Sequence, residues 1–170
     1  MKGRYILEVR ALPTGTSEAD YLITKELFES FDNEDIKAAN VECKVQIDKS
    51  EQLIYLSLLF EGVITVECDR CLDNLDIKIS HNDSLYLKFS NGEEQTDENV
   101  IAINEKENVF DLSQLLYESV LVNKPLRCVH GEVGEGECNK AMIEMLGRQE
   151  QMNEEMEEID PRWAALKKIK

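Results

Sequence analysis

Val41-Glu42-Cys43-Lys44-Val45-Gln46-Ile47-Asp48 decides the fold class. Val41, Cys43, Val45 and Ile47 are apolar, and the residues between them are polar. That period of two sets one face of a strand in a core and the other in water. Asp48-Lys49-Ser50-Glu51 then reads as a turn. Leu53 to Phe60 is apolar on both faces, as a central strand is. Gly62 is expected to break this run, with Val63 to Glu67 continuing the sheet. Leu75, Ile77 and Ile79 alternate again, and Leu85, Leu87 and Phe89 do so one strand later. Upstream, Arg4 to Leu12 is β-compatible up to a turn at Pro13-Thr14-Gly15-Thr16, and Tyr21 to Thr24 is a second short run. Leu27, Phe28 and Phe31 read as a bend or short helix that plugs the core. Strands joined by short polar turns predict an antiparallel meander, flat or curled into a partial barrel.

The second half changes character. Asn91 to Asn99 is a polar connector, and Val100 to Ile103 reads as a last strand. Asp111 with Gln114 three positions on has the form of a capping box. Leu112, Leu115, Leu116 and Val120 then share one helical face, and Pro125 ends that helix. Gly131, Gly134 and Gly136 make residues 127–137 a loop. A helix from about Asn139 to Leu146 follows, with Met142, Met145 and Leu146 on one face, then a Glu- and Gln-rich stretch expected to be mobile or a frayed helix. Asp160-Pro161 suits a helix start, with Trp163, Leu166 and Ile169 at spacings of three. The expected class is α+β: a β-rich N-terminal half and two or three helices in the C-terminal half. Residues 1–147 form the expected domain, with 148–170 an acidic linker and short helix.

The chain has 170 residues, 35 acids and 19 Lys+Arg, for a net charge of −16. Residues 1–90 carry −7, residues 91–160 carry −13, and the last ten carry +4. A pI near 4.5 argues against a large phosphate-gripping surface, because RNA affinity rests on Lys and Arg displacing counterions. Contact through Arg70, Lys78, Lys88 or the basic tail stays open, beside contact with basic proteins through the acidic 91–160 segment, which is preferred. The longest apolar run, Leu53 to Phe60, contains Ser57 and falls short of the ~20 residues of a membrane span. Charges at Glu8 and Arg10 interrupt any signal-like core, so a cytoplasmic protein is expected.

Five cysteines, an odd number, argue against a disulfide framework. Cys43 lies on the apolar side of its strand and reads as a core thiol. Cys68-Asp69-Arg70-Cys71 falls between two strands, so two sulfurs on one tight turn can face one ion, as in the knuckles of structural zinc sites. Completing four ligands needs two of Cys128, His130 and Cys138, with His81 the weaker candidate. A redox CxxC normally opens a helix, whereas a strand-like segment follows here. A metal-free interaction module with inert thiols, or a thiol-disulfide protein using Cys68 and Cys71, are the alternatives. No Gly-rich phosphate loop, HExxH or GxSxG is present, so neither an enzyme nor a small-molecule substrate is expected.

Gly62-Val63-Ile64-Thr65-Val66-Glu67-Cys68-Asp69-Arg70-Cys71-Leu72 resembles the G-x-V-x-x-x-C-x-R-C-L signature of the YceD family, the large ribosomal RNA subunit accumulation proteins. Asp160-Pro161-Arg162-Trp163-Ala164-Ala165-Leu166 is similar to that family's ending, and Cys128-Val129-His130 with Cys138-Asn139 to its post-helix segment. The resemblance implies a non-catalytic ribosome biogenesis factor acting on assembly intermediates, through protein or 23S ribosomal RNA contacts. It implies Cys68, Cys71, His130 and Cys138 as ligands of a structural zinc, His130 ranking above Cys128. Arg70, Asp160, Arg162 and Trp163 are the candidate partner contacts.

Overall fold

The computed structural model describes residues 4–90, 99–104 and 106–155, with side chains described as far as Arg148. The elements are β1 (Ile6–Leu7), β2 (Gly15–Thr24), α1 (Lys25–Glu29), β3 (Ala38–Lys49), β4 (Leu53–Glu67), β5 (Asn74–Ser90), β6 (Val100–Asn104), β7 (Phe110–Asp111), α2 (Ser113–Asn123) and α3 (Lys140–Glu155). Five strands form one open sheet in the order β2-β3-β4-β5-β6, and β1 pairs with β7 in a small second one. The first four strands are antiparallel neighbours, as a meander requires, with Cys43 opposite Phe60 and Phe60 opposite His81. The last pair is parallel: β6 lies beside β5 with Tyr86 opposite Val100.

One face of the sheet is buried, which is what the alternation encodes. Val41, Cys43, Val45 and Ile47 are at most 1 % exposed. Ile54, Leu56, Leu58 and Phe60 of β4 sit beside them, with Leu75, Ile77, Leu85 and Leu87 of β5. Leu27 and Phe28 of α1 cover one part of this face, as the plug reading expects, and Leu112, Leu116 and Val120 of the α2 segment cover another. Phe31 stays at the rim, stacked on Tyr117 of α2 at 4.4 Å.

Several local expectations are corrected. Leu75–Ile79 and Leu85–Phe89 belong to one 17-residue strand. Their inward positions are all odd, and His81 and Asp83 continue that series through the presumed turn. Ser119 of α2 donates to the Asp83 carboxylate and accepts from His81 Nε2 at 2.9 Å, which gives these atoms partners inside the fold, while His81 Nδ1 is buried without one among the described residues. Gly62 lies within β4, opposite Val41. A Cβ there would stand 2.3 Å from the Asn40 carbonyl oxygen, so glycine permits close approach of β3. Within Arg4–Leu12 the strand is limited to Ile6–Leu7, because Lys49 Nζ takes the carbonyls of Val9 and Leu12, both at 2.9 Å, in a loop. The second run starts at Gly15 and pairs with β3 along its whole length. The expected capping box does not form: Leu112 is the N-cap of α2 and makes no side-chain cap, Asp111 accepts Ser113 N–H at 2.8 Å instead, and Gln114 turns to Glu118. Helix α3 continues past the predicted Leu146 to Glu155, with Met142 packed on the core and Met145 exposed.

Candidate metal centre

β4 and β5 are joined by Cys68–Asp73. The turn is closed by Cys68 N–H on the Asp73 carbonyl and Leu72 N–H on the Cys68 carbonyl, both at 2.9 Å. Leu72 adopts φ 63, a left-handed conformation uncommon for a leucine. This geometry turns Cys68 and Cys71 inward, where they are 0 % and 1 % exposed.

The second loop follows α2, and Asp69 docks it. The Asp69 carboxylate accepts Cys128 N–H at 2.6 Å, and Asp69 N–H donates to the Cys128 carbonyl at 2.7 Å. Gly131 at φ 78 and Gly136 at φ 97 turn the chain where a side chain would be strained. Gly134 lies against β5, where a Cβ would stand 2.3 Å from Leu75 Cδ1. Cys138 then sits just before α3, whose first turn Asn139 caps by accepting Ala141 N–H at 3.1 Å.

These contacts bring the ligand atoms of Cys68, Cys71, His130 and Cys138 within 4.8 Å of one another. Cys68 Sγ lies 3.8 Å from Cys138 Sγ, and Cys71 Sγ lies 3.4 Å from His130 Nδ1. A tetrahedral ion with metal–sulfur bonds of about 2.3 Å and metal–nitrogen bonds of about 2.0 Å sets edges of about 3.8 Å and about 3.5 Å. The donor set fits a metal ion in both chemistry and spacing. His130 Nε2 lies 3.2 Å from the Asn74 carbonyl oxygen. A carbonyl only accepts, so Nε2 carries the proton and Nδ1 turns its lone pair to the sulfurs, the outer-shell arrangement typical of metal-bound histidine.

Electrostatics point the same way. Burial pushes the Cys68 thiol up, but backbone N–H groups of Cys71, Arg70 and His130 outweigh it and lower it to about 6. The Cys138 thiol is raised, by burial and by its contacts with Cys68 and Cys71. Several sulfurs sharing one site hold their negative charge best around a cation.

Cys128 is not in this cluster: its thiol donates to the Pro125 carbonyl at 3.3 Å. Burial raises it, with Lys124 acting in the opposite sense. Cys43 is a core thiol, as expected, and burial, Asp83 and Asp20 raise it to about 12. His81 is stacked on Phe60 at 4.5 Å, away from the cluster. Arg70 is half exposed and faces Glu132 at 3.5 Å. Asp160, Arg162 and Trp163 lie outside the described residues. The docking roles of Asp69, Asn74 and Gly134 carry no signal in ligand spacing, and sequence reasoning missed them.

The family model of the large ribosomal RNA subunit accumulation protein YceD matches residues 56–170, which include all four clustered residues. The chain belongs to the YceD family. A search of curated proteins and a search of solved structures found no match. In this YceD-family chain, no helix among the described residues is long and apolar enough to cross a membrane.

Proposed function

We propose that this YceD-family protein is a non-catalytic ribosome biogenesis factor that promotes accumulation or processing of 23S ribosomal RNA in the cytoplasm. The family match over residues 56–170 carries this reading. We also assign a structural zinc to Cys68, Cys71, His130 and Cys138. Three cysteines and one histidine fill a tetrahedral shell with protein donors, which is a structural rather than a catalytic pattern. When bound, the ion ties the β4–β5 turn to a loop about 60 residues further on, and its binding energy stabilises the second half against the sheet. On this reading residues 1–147 are the body, and 148–170, with Asp160, Arg162 and Trp163, extend to assembly intermediates.

Depleting the protein from its source and quantifying 23S against 16S ribosomal RNA, with precursors resolved, tests the role. A selective fall in 23S supports it; an unchanged ratio contradicts it. Metal analysis of protein purified without chelator tests the site: about one zinc per chain supports it. Metal-free protein whose Cys68 and Cys71 alkylate rapidly favours the redox reading instead.

A further inference from the structure

β2 is one end of the five-strand sheet, and its outer edge carries no strand among the described residues. The ladder fixes which backbone groups lie on that edge. In antiparallel pairs a residue sends its N–H and its C=O to the same neighbour, and successive residues alternate. Tyr86 N–H bonds the Asn99 carbonyl at 2.8 Å, so even-numbered residues of β5 turn to β6 and odd-numbered ones to β4. Carried through the registers of β4, β3 and β2, this turns Ala19 and Tyr21 to β3, and Thr16, Glu18, Asp20 and Leu22 outward. The Tyr5 hydroxyl donates to the Leu22 carbonyl at 3.0 Å, which agrees with that parity and closes one end of the edge. The N–H and C=O groups of Thr16, Glu18 and Asp20 have no partner among the described residues, and all three residues are exposed.

An open edge of this length is a template for another strand, and β2 carries none of the usual guards. Gly15–Thr24 contains no Pro and no Lys, and it pairs with β3 residue for residue without a bulge. What the edge does carry is acid. On the outer face of β2 and β3 the charged residues are Glu18, Asp20, Glu42, Lys44 and Asp48, a net −3. Two copies pairing antiparallel through the middle of this edge would set Glu18 and Asp20 against their own kind, which disfavours a second copy. A phosphate backbone would meet the same carboxylates and offers no N–H to the strand's carbonyls. We propose that β2 takes up an extended, Lys- or Arg-rich protein segment as an added strand, with basic side chains at alternate positions facing Glu18 and Asp20. Main-chain bonds supply the affinity, and the alternating charges set the register. β2 lies outside residues 56–170, in the part of the chain that the family model leaves unmatched. That the segment comes from a basic protein of an assembly intermediate rests on the function proposed above.

A labelled peptide as long as β2, alternating Lys with Thr, is titrated against the full-length protein by fluorescence anisotropy. Two isomers carry a pair of N-methyl groups, one isomer on Lys residues and the other on Thr residues. Only one edge of an added strand meets β2, so the isomers should differ about thirtyfold in affinity, a pair of main-chain bonds being lost in one alone. Glu18→Gln/Asp20→Asn should weaken the unmethylated peptide about fivefold, as the loss of two exposed charge pairs implies. Asp20→Pro should abolish binding, because the N–H it removes points outward and the β3 ladder stays intact. Equal affinity of the two isomers for the wild-type protein overturns the proposal, whether or not the proline variant folds. Absence of peptide binding by the wild-type chain also overturns it. A dimer in sedimentation that Asp20→Pro dissolves overturns it in favour of a second copy. A fragment of large-subunit ribosomal RNA that binds the wild-type chain but not Asp20→Pro overturns it in favour of RNA. Tighter peptide binding in Arg162→Gln/Lys167→Gln/Lys168→Gln/Lys170→Gln overturns it in favour of the chain's own basic end. Complementation separates the two readings. If the wild-type gene restores 23S in depleted cells and Asp20→Pro does so equally, the edge has no part in the role, and the proposal falls while the role stands. If depletion leaves 23S unchanged, the role falls, and the methylated isomers still judge the edge.

Discussion

Cys43 in the middle of the sheet and Cys68 at its end are both completely buried, yet their thiols differ widely in acidity. Cys43 lies between strands whose backbone N–H groups are engaged in the ladder, and burial with Asp83 and Asp20 raises it to about 12. Cys68 lies where the ladder stops, and N–H groups released by the turn face its sulfur and lower it to about 6. Burial alone therefore does not set thiol chemistry; the supply of unpaired backbone donors does. The middle of the sheet is held by apolar packing, and its end by a polar dock that presents donors to an ion.

Each region should fail separately. The largest effect is expected from Phe60→Ala, which empties the volume between Cys43 and His81 and costs about 3–5 kcal/mol in chemical denaturation, with metal content unchanged. Loss of metal in that variant would show that the regions are one unit. Cys68→Ser should remove bound zinc and cost about 3 kcal/mol in the metal-replete protein, while the circular dichroism of the sheet persists. Asp69→Asn keeps the size of the docking residue but weakens its acceptor for Cys128 N–H, at about 1–2 kcal/mol. Its zinc affinity should fall while Cys43 stays unreactive to alkylation. A smaller effect concerns His81. Burial holds it below its ordinary 6.5, with Asp83 acting the other way. The unfolded chain therefore takes up the proton first, so stability is full above about pH 6.5 and declines as pH falls towards the folded value. His81→Gln should flatten that decline, measured as the melting temperature between pH 7.5 and 5. The smallest effect belongs to Lys78→Ala, whose partner Glu135 is 92 % exposed; a change within about 0.5 kcal/mol is expected.

Residues 41–48 and 53–60 were readable because side-chain direction alternates with every residue and burial follows it. The same parity ran through His81 and Asp83, but polarity there reads as a turn unless the partner is known, and Ser119 lies 38 and 36 positions away. The Cys68–Cys71 turn was legible because two ligands three positions apart on a tight turn are a local pattern. The choice between Cys128 and His130 was not local. It depends on Asp69 seizing the backbone of Cys128, which turns that thiol to Pro125 and leaves His130 to face Cys71.

By itself, then, the amino-acid sequence determined the half-buried strands, the helical face from Leu112 to Val120 and the family resemblance, because each rests on order along the chain. Tertiary structure alone decided that residues 74–90 form one strand, that β6 runs parallel to β5, and that four donors from residues 68–138 meet. The reason is physical: periodicity records which residues seek the core, while satisfying a polar group or an ion depends on partners that only folding brings within bonding distance.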